Sequence, residues 1–171
     1  MINDMMQTAL NKQINAELYS AYLYISMSAQ FQAMNLKGFA NWMRVQSLEE
    51  FTHADKFYNF LIDRGGRAIL NSIEGPPTKW ASPLAIFQDA YKHEQKVTGL
   101  INALVNLAIK EKDHAAHSFL QWFVNEQVEE EANADSIAQQ LKLIGKNGQG
   151  LLMLDRELAQ RVFVPPTQAQ P

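Results

Sequence analysis

The chain has 171 residues, of which 47% are hydrophobic and 19% charged, proportions that exclude wholesale disorder and fit one folded domain. Its formal net charge of −3 offers no basic face for phosphates, so we expect no nucleic-acid partner. Cysteine is absent, which excludes disulfides, thiolate metal sites and cysteine nucleophiles.

The beginning of the chain shows no targeting signal. The segment MINDMMQTALNKQINAEL lacks the charged start and the apolar run of a signal peptide. No stretch approaches the roughly 18 consecutive apolar residues that a membrane span requires. We therefore expect a cytoplasmic protein with no membrane partner.

Glycine and proline fall in a few clusters and leave four long stretches free of helix breakers, followed by a short fifth one. We predict helices over residues 4–33, 37 to about 64, 83–110, 114 to about 144, and 151–161. The third helix should begin at Ser82 as N-cap with Pro83 in the first helical position, and the fourth should follow Asp113 as N-cap. Residues 1–162 would form the domain and residues 163–171 a flexible C-terminal tail.

The lengths of the links between helices determine the topology. The first and third links have only a few residues, so each joins two antiparallel neighbours. The middle link, residues 65–82, contains 18 residues. These reach at most ~60 Å when extended, which exceeds the ~42 Å length of a 28-residue helix. The sequence therefore predicts an all-α four-helix bundle with a long crossover between helices 2 and 3 and a short fifth C-terminal helix.

Each long helix has one glutamate on its inward apolar stripe, where residues recur three and four positions apart. These are Glu17, Glu50, Glu94 and Glu130. Each lies within a couple of turns of the middle of its helix, so the four can share one level of the bundle. His53, three residues after Glu50, lies on the same face.

Four carboxylates cannot share a core without compensation. Two like charges ~4 Å apart repel by about 4 kcal/mol at an effective dielectric near 20, and desolvation adds several kcal/mol per ion. Either the cluster is protonated or cations fill it, and two divalent metals would neutralise it. Oxygen and nitrogen ligands without sulfur suit iron or manganese, with zinc as a competitor. A metal-free structural bundle is harder to reconcile with four inward glutamates.

Four segments together resemble the non-haem bacterial ferritins: Glu17 with Tyr24 two turns later, SLEEFTHAD at 47–55, KHE at 92–94, and FVNEQVEEE at 123–131. The similarity covers nearly the whole chain, including the crossover and the short last helix. It implies a ferroxidase centre that oxidises Fe(II) with O2 or peroxide. In that centre a first iron would be bound by Glu17, Glu50 and His53, and Glu50 would bridge to a second held by Glu94 and Glu130.

The resemblance also implies roles for residues around the two irons. Gln127 would hydrogen-bond near the second iron, and Tyr24 would lie close enough to donate an electron. A third iron site, between the centre and the cavity, would use Glu49, Glu126 and Glu129 together with Glu130. The family assembly is a homo-oligomeric hollow shell of 24 subunits that stores Fe(III) oxyhydroxide mineral.

The sequence differs from neighbouring di-iron families at several positions. Catalytic di-iron oxidases and haem bacterioferritins usually repeat Glu-x-x-His, whereas this chain reads Gln127-x-x-Glu130. The weaker second ligand set suits iron that moves on, and it argues against the alternative of a di-iron oxidase or oxygenase acting on an organic substrate. Phe51 stands where a haem-ligating Met would fall, so we expect no haem. His114 and His117, at the start of the fourth helix, are candidate pore residues.

Overall fold

The computed structural model describes residues 1–165, and the secondary structure in this range is entirely helical. The helices are α1 (Asp4–Ala33), α2 (Lys37–Asp63), α3 (Pro83–Lys110), α4 (His114–Ile144) and α5 (Gly148–Leu158). The crossover between α2 and α3 contains no helix or strand, as predicted. Of the predicted tail, residues 166–171 lie outside the described residues. None of the described helices combines the length and apolarity needed to cross a bilayer.

Side chains cap α3 and α4 at the predicted residues. Ser82 Oγ accepts a hydrogen bond from the amide of Ala85 at 3.1 Å, and Asp113 Oδ1 accepts one from the amide of Ala116 at 3.0 Å. Both caps satisfy donors that a helix start leaves unpaired. The Asp113 carboxylate also accepts two hydrogen bonds from the Arg64 guanidinium, at 3.0 and 3.1 Å, which ties the end of α2 to the start of α4.

The fifth helix lies three residues earlier than predicted, over 148–158 rather than 151–161. It begins at Gly148 because Asn147 Oδ1 accepts hydrogen bonds from two amides of the first turn, at 3.0 and 3.2 Å. It ends at Leu158 because Asn41 Nδ2, on α2, donates to backbone carbonyls at the end of the helix and just beyond it. These are the carbonyls of residues 158, 159 and 161, at 3.4, 3.4 and 2.9 Å. A side chain from another helix thus satisfies groups that a further helical turn would have used.

The first turn of α2 is capped from α5. No side chain of its own N-cap residue, Leu36, bonds to the turn. Instead Asp155 Oδ1 accepts hydrogen bonds from the amides of Gly38 and Phe39, at 2.8 and 3.0 Å. A Cβ atom at Gly38 would lie 1.6 Å from the Asp155 carbonyl oxygen, so only glycine permits this approach.

The short links pair α1 with α2 and α3 with α4, and the interior divides into two hydrophobic clusters. The α5 cluster includes Phe31, Phe39, Met43, Phe87, Ile137 and Leu154. The amino-terminal cluster includes Met6, Leu10, Ile14, Phe57, Ile101 and Phe123. In each of α1 to α4 one cluster ends and the other begins around the inward glutamate. The two clusters therefore enclose a polar layer.

Candidate metal centre

The polar layer contains the four predicted glutamates, one from each of α1 to α4. Glu17, Glu50, Glu94 and Glu130 are between 1% and 5% exposed. Buried carboxylates of this kind require a proton, a hydrogen-bond donor or a cation. Because hydrophobic residues lie on both sides of the layer, its carboxylates interact mainly with one another and with a few polar neighbours.

One side of the layer, here called the histidine half, consists of Glu17, Glu50 and His53. Each residue offers one ligand atom, and these atoms all lie within 4.8 Å of one another. His53 Nδ1 is 3.4 Å from Glu50 Oε2, because residues three apart share one face of α2. Carboxylate and imidazole donors that already converge in this way can hold one divalent cation.

The other side, here called the glutamine half, consists of Glu94, Gln127 and Glu130. The Tyr24 hydroxyl donates to Glu94 Oε1, and Gln127 Nε2 donates to Glu94 Oε2 at 3.2 Å. Glu130 Oε2 accepts from Gln46 Nε2 at 2.7 Å. Burial, followed by the nearby Glu94 carboxylate, raises the pKa of Tyr24 well above its ordinary value, so its hydroxyl remains a donor.

Two buried glutamines in the layer, Gln13 and Gln46, were not among the predicted site residues. Gln13 Nε2 donates to Glu17 Oε1 at 2.8 Å. Gln46 Nε2 donates to Glu50 Oε1 at 3.1 Å as well as to Glu130. Each glutamine precedes its glutamate by four residues on the same helix, which is the one sequence signal that would have identified both.

Burial raises the pKa of each of the four glutamates to about 8. The next cause is a neighbouring carboxylate: Glu50 acts on Glu17 and on Glu94, while Glu130 acts on Glu50 and Glu94 on Glu130. A metal-free layer therefore retains protons at neutral pH, whereas divalent cations would stabilise the ionised form. The donor set, rich in oxygen with one imidazole, fits iron or manganese.

His53 also faces a second group of ligand atoms. Its Nε2 lies 3.9 Å from Glu126 Oε1, and His53, Glu126 and Glu130 again place ligand atoms within 4.8 Å of one another. Glu126 is only half-buried, so this group adjoins the solvent-accessible side of the layer. The structure thus brings together two of the four residues predicted for a third iron site.

The other two predicted members of that site, Glu49 and Glu129, do not contribute to this group of ligand atoms in the described residues. Glu49 Oε2 is 2.5 Å from Arg161 Nη2, and Glu129 is exposed. The two candidate pore residues lie outside the layer at the start of α4, where His114 is exposed and His117 is half-buried. Their pore role stays a prediction.

Sequence comparison relates the chain to known proteins over most of its length. A family model described as Ferritin-like domain matches residues 7–144. A bacterial non-heme ferritin of Bacteroides fragilis (strain 638R) is 44% identical over 161 residues, 94% of this chain and 100% of that protein. A bacterial non-heme ferritin of Escherichia coli O157:H7 is 40% identical over 159 residues, 93% of this chain and 96% of that protein.

Solved structures agree with these relationships. A closed form of the Archaeoglobus fulgidus ferritin, engineered by site-directed mutagenesis, matches with a TM-score of 0.95 and 54% identity, over 96% of this chain and 100% of that one. The open-pore ferritin of the same archaeon gives a TM-score of 0.94 at 54% identity, over 95% of this chain and 100% of that one. All four glutamates of the layer fall inside the segment that the family model matches.

Proposed function

Because the chain belongs to the ferritin family, we propose that it oxidises Fe(II) in the polar layer and stores the Fe(III) product as mineral inside a shell of identical subunits. The observation that carries this proposal is the set of four buried glutamates, one from each long helix, around His53. Fe(II) and O2 or peroxide are the substrates, and we assign the protein to the cytoplasm. The relatives' names support the iron chemistry, since they are ferritins.

Binding of Fe(II) would begin in the histidine half. Glu17, Glu50 and His53 would hold the first ion, and Glu50 would bridge to a second ion bound by Glu94 and Glu130. Because the pKa of each of these glutamates lies near 8, binding at neutral pH would release protons from the layer. The cations would then neutralise charges that the core cannot otherwise accommodate.

Two Fe(II) ions held side by side can give two electrons to one O2, which avoids releasing superoxide after a single electron. The chain would hold both ions with their open positions toward the oxidant. Tyr24, hydrogen-bonded to Glu94, would supply a further electron, and the Gln127 amide, which also donates to Glu94, would hold this carboxylate in position for the second ion.

Release of the oxidised iron would follow from the weakness of the glutamine half. Gln127 offers an amide where related oxidases carry a charged ligand, so the second ion is held less firmly. Glu126, Glu129 and Glu130 lie at i, i+3 and i+4 on one face of α4 and form an acidic path away from the layer. Iron would pass along this path to the mineral.

The test is the iron retained per chain after aerobic Fe(II) loading, chelator challenge and desalting, with the assembly mass measured by light scattering. We expect retention far above the ~2 ions that a dinuclear site can hold, in an assembly of many subunits. A plateau at about two ions per chain would overturn the storage proposal and indicate the alternative, a di-iron oxidase with an organic substrate. Glu50→Ala should lose rapid loading, while Glu74→Ala, at an exposed glutamate in the crossover, serves as the matched control.

A further inference from the structure

Arg161, three residues beyond α5, is fixed against α2 by several contacts. Its Nη2 lies 2.5 Å from Glu49 Oε2, and its Nη1 donates to the Trp42 carbonyl at 3.4 Å. The guanidinium carbon stands 4.3 Å from the centre of the Trp42 ring, and the Arg161 carbonyl accepts a hydrogen bond from Asn41 Nδ2 at 2.9 Å. These contacts hold both the side chain and its backbone, so Arg161 is a fixed positive charge.

Glu49 connects this charge to the polar layer. Its carboxylate interacts electrostatically with His53 and Glu126, and it acts in turn on Glu50 and Glu130. The side chains of Arg161 and Glu49 are only 21% and 24% exposed, so solvent screens the pair less than it would a surface ion pair. A cation that approached Glu49 and the neighbouring carboxylates from this side would find Glu49 already paired with Arg161.

We propose that Arg161 is a built-in counter-cation of Glu49, which lowers the affinity of Glu49, Glu126 and Glu130 for a third Fe(II). This inference rests on the proposed function. A metal ion that uses Glu49 must first separate its carboxylate from the guanidinium, against the attraction between these two charges. The result is a transit position that iron occupies briefly on its way from the layer.

Calorimetric titration of the assembled, full-length protein with Fe(II) under anaerobic conditions tests this role, because no iron is oxidised. In Arg161→Gln we expect the third Fe(II) per chain to bind about fivefold more tightly, as the loss of an opposing interaction of about 1 kcal/mol would produce. The first two ions should bind as in the unmodified protein. Arg161→Lys keeps the charge and should stay close to the unmodified affinity. Arg156→Gln removes an exposed arginine of α5 and should change nothing.

A double-mutant cycle with Glu49→Gln decides whether Arg161 acts through Glu49. We expect Arg161→Gln to have no effect once Glu49 is neutral. Arg161→Gln could instead raise the affinity for the third Fe(II) equally with Glu49 and with Gln at position 49, or Arg156→Gln could raise it as well. Either result would mean a general charge effect and would overturn the inference. An unchanged affinity for the third Fe(II) in Arg161→Gln would also overturn it. If the unmodified protein failed to bind even the first two ions, the proposed function itself would fail, which is a separate result.

Discussion

The two halves of the polar layer each contain two glutamates, but they hold their donor atoms differently. In the histidine half, ligand atoms of Glu17, Glu50 and His53 already converge within 4.8 Å. In the glutamine half, Tyr24 and Gln127 hydrogen-bond to Glu94 instead. Amide donors also bond to the Glu17 and Glu50 carboxylates, so an entering cation displaces neutral donors in either half. Among the described residues, the histidine half differs in that three of its own ligand atoms already lie together.

The difference is one of ligands and not of charge. Burial raises the pKa of the glutamates to about 8 in both halves, so the need for a cation is similar. The order in which the halves fill therefore depends on donor type and geometry. We expect the histidine half to bind Fe(II) first and to release it last.

The largest effect is expected from Glu50→Ala, because Glu50 is the carboxylate that we propose bridges the two iron ions. Its loss should slow rapid Fe(II) oxidation by at least about 100-fold, more than the loss of a supporting residue beside a metal ligand. Stopped-flow absorbance after mixing Fe(II)-loaded protein with O2 measures this rate. A decrease of only a few-fold would show that the halves work independently.

Exchanging the ligands of the weaker half should remove the asymmetry. The double variant Gln127→Glu with Glu130→His keeps two carboxylates there and adds an imidazole. We expect the second Fe(II) to bind about tenfold more tightly, because a strong ligand replaces an amide. Iron should then leave the centre more slowly, as followed by transfer to a chelator over time. Each single variant is a control. An unchanged rate of iron release in the double variant would show that the ligands of the glutamine half do not determine release.

The glutamates of the two halves should contribute alike to the pH dependence of the protein's stability. Glutamates with a folded pKa near 8 and an ordinary value of 4.5 bind more protons folded than unfolded between these limits. Their contribution to the stability of the metal-free protein is full below about pH 4.5 and is lost as the pH rises through about 8. We expect Glu17→Gln and Glu94→Gln to flatten this decline to similar degrees.

Urea unfolding of the metal-free protein between about pH 5 and 9 measures the decline, and adding a divalent cation should reverse it through preferential binding to the folded state. A much larger change in one variant than in the other would show that the charges of the halves are not equivalent.

The smallest effect is expected from Glu129→Ala, since Glu129 is exposed and outside both halves. The first turnover should be unchanged within about twofold, while recovery of the centre for later turnovers should slow by a few-fold, as expected for the loss of one exposed charge. Sequential stopped-flow mixing separates the two phases. If the stopped-flow traces of Glu129→Ala matched those of Glu50→Ala, oxidation and onward transfer would not be separable steps.

The starts of α3 and α4 and the inward stripes were predictable because their causes are local. Ser82 and Asp113 cap the helices that follow them, and a recurrence of three and four residues placed Glu17 and His53 in the core. The four inward glutamates and His53, all predicted from these stripes, are between 1% and 5% exposed. The same pattern also predicted that the four glutamates lie at one level of the bundle.

The supporting contacts were not predictable, because their partners are far apart in sequence. Gln46 and Glu130 are 84 residues apart, and Arg161 and Glu49 are 112 apart. Periodicity shows which face of a helix is buried, but not which side chain of another helix meets it. Arg161 was even expected inside α5, and its actual position follows from Asn41 ending that helix early.

The cap that Asp155 provides for α2 has a consequence for synthesis of the chain. Gly38 leaves the ribosome 117 residues before its hydrogen-bond acceptor. During this interval α1 and α2 can pair, but two amides at the start of α2 lack the acceptor that the finished protein gives them. Translation of α5 thus completes the first turn of α2, because the Gly38 and Phe39 amides gain this acceptor only once Asp155 has been made.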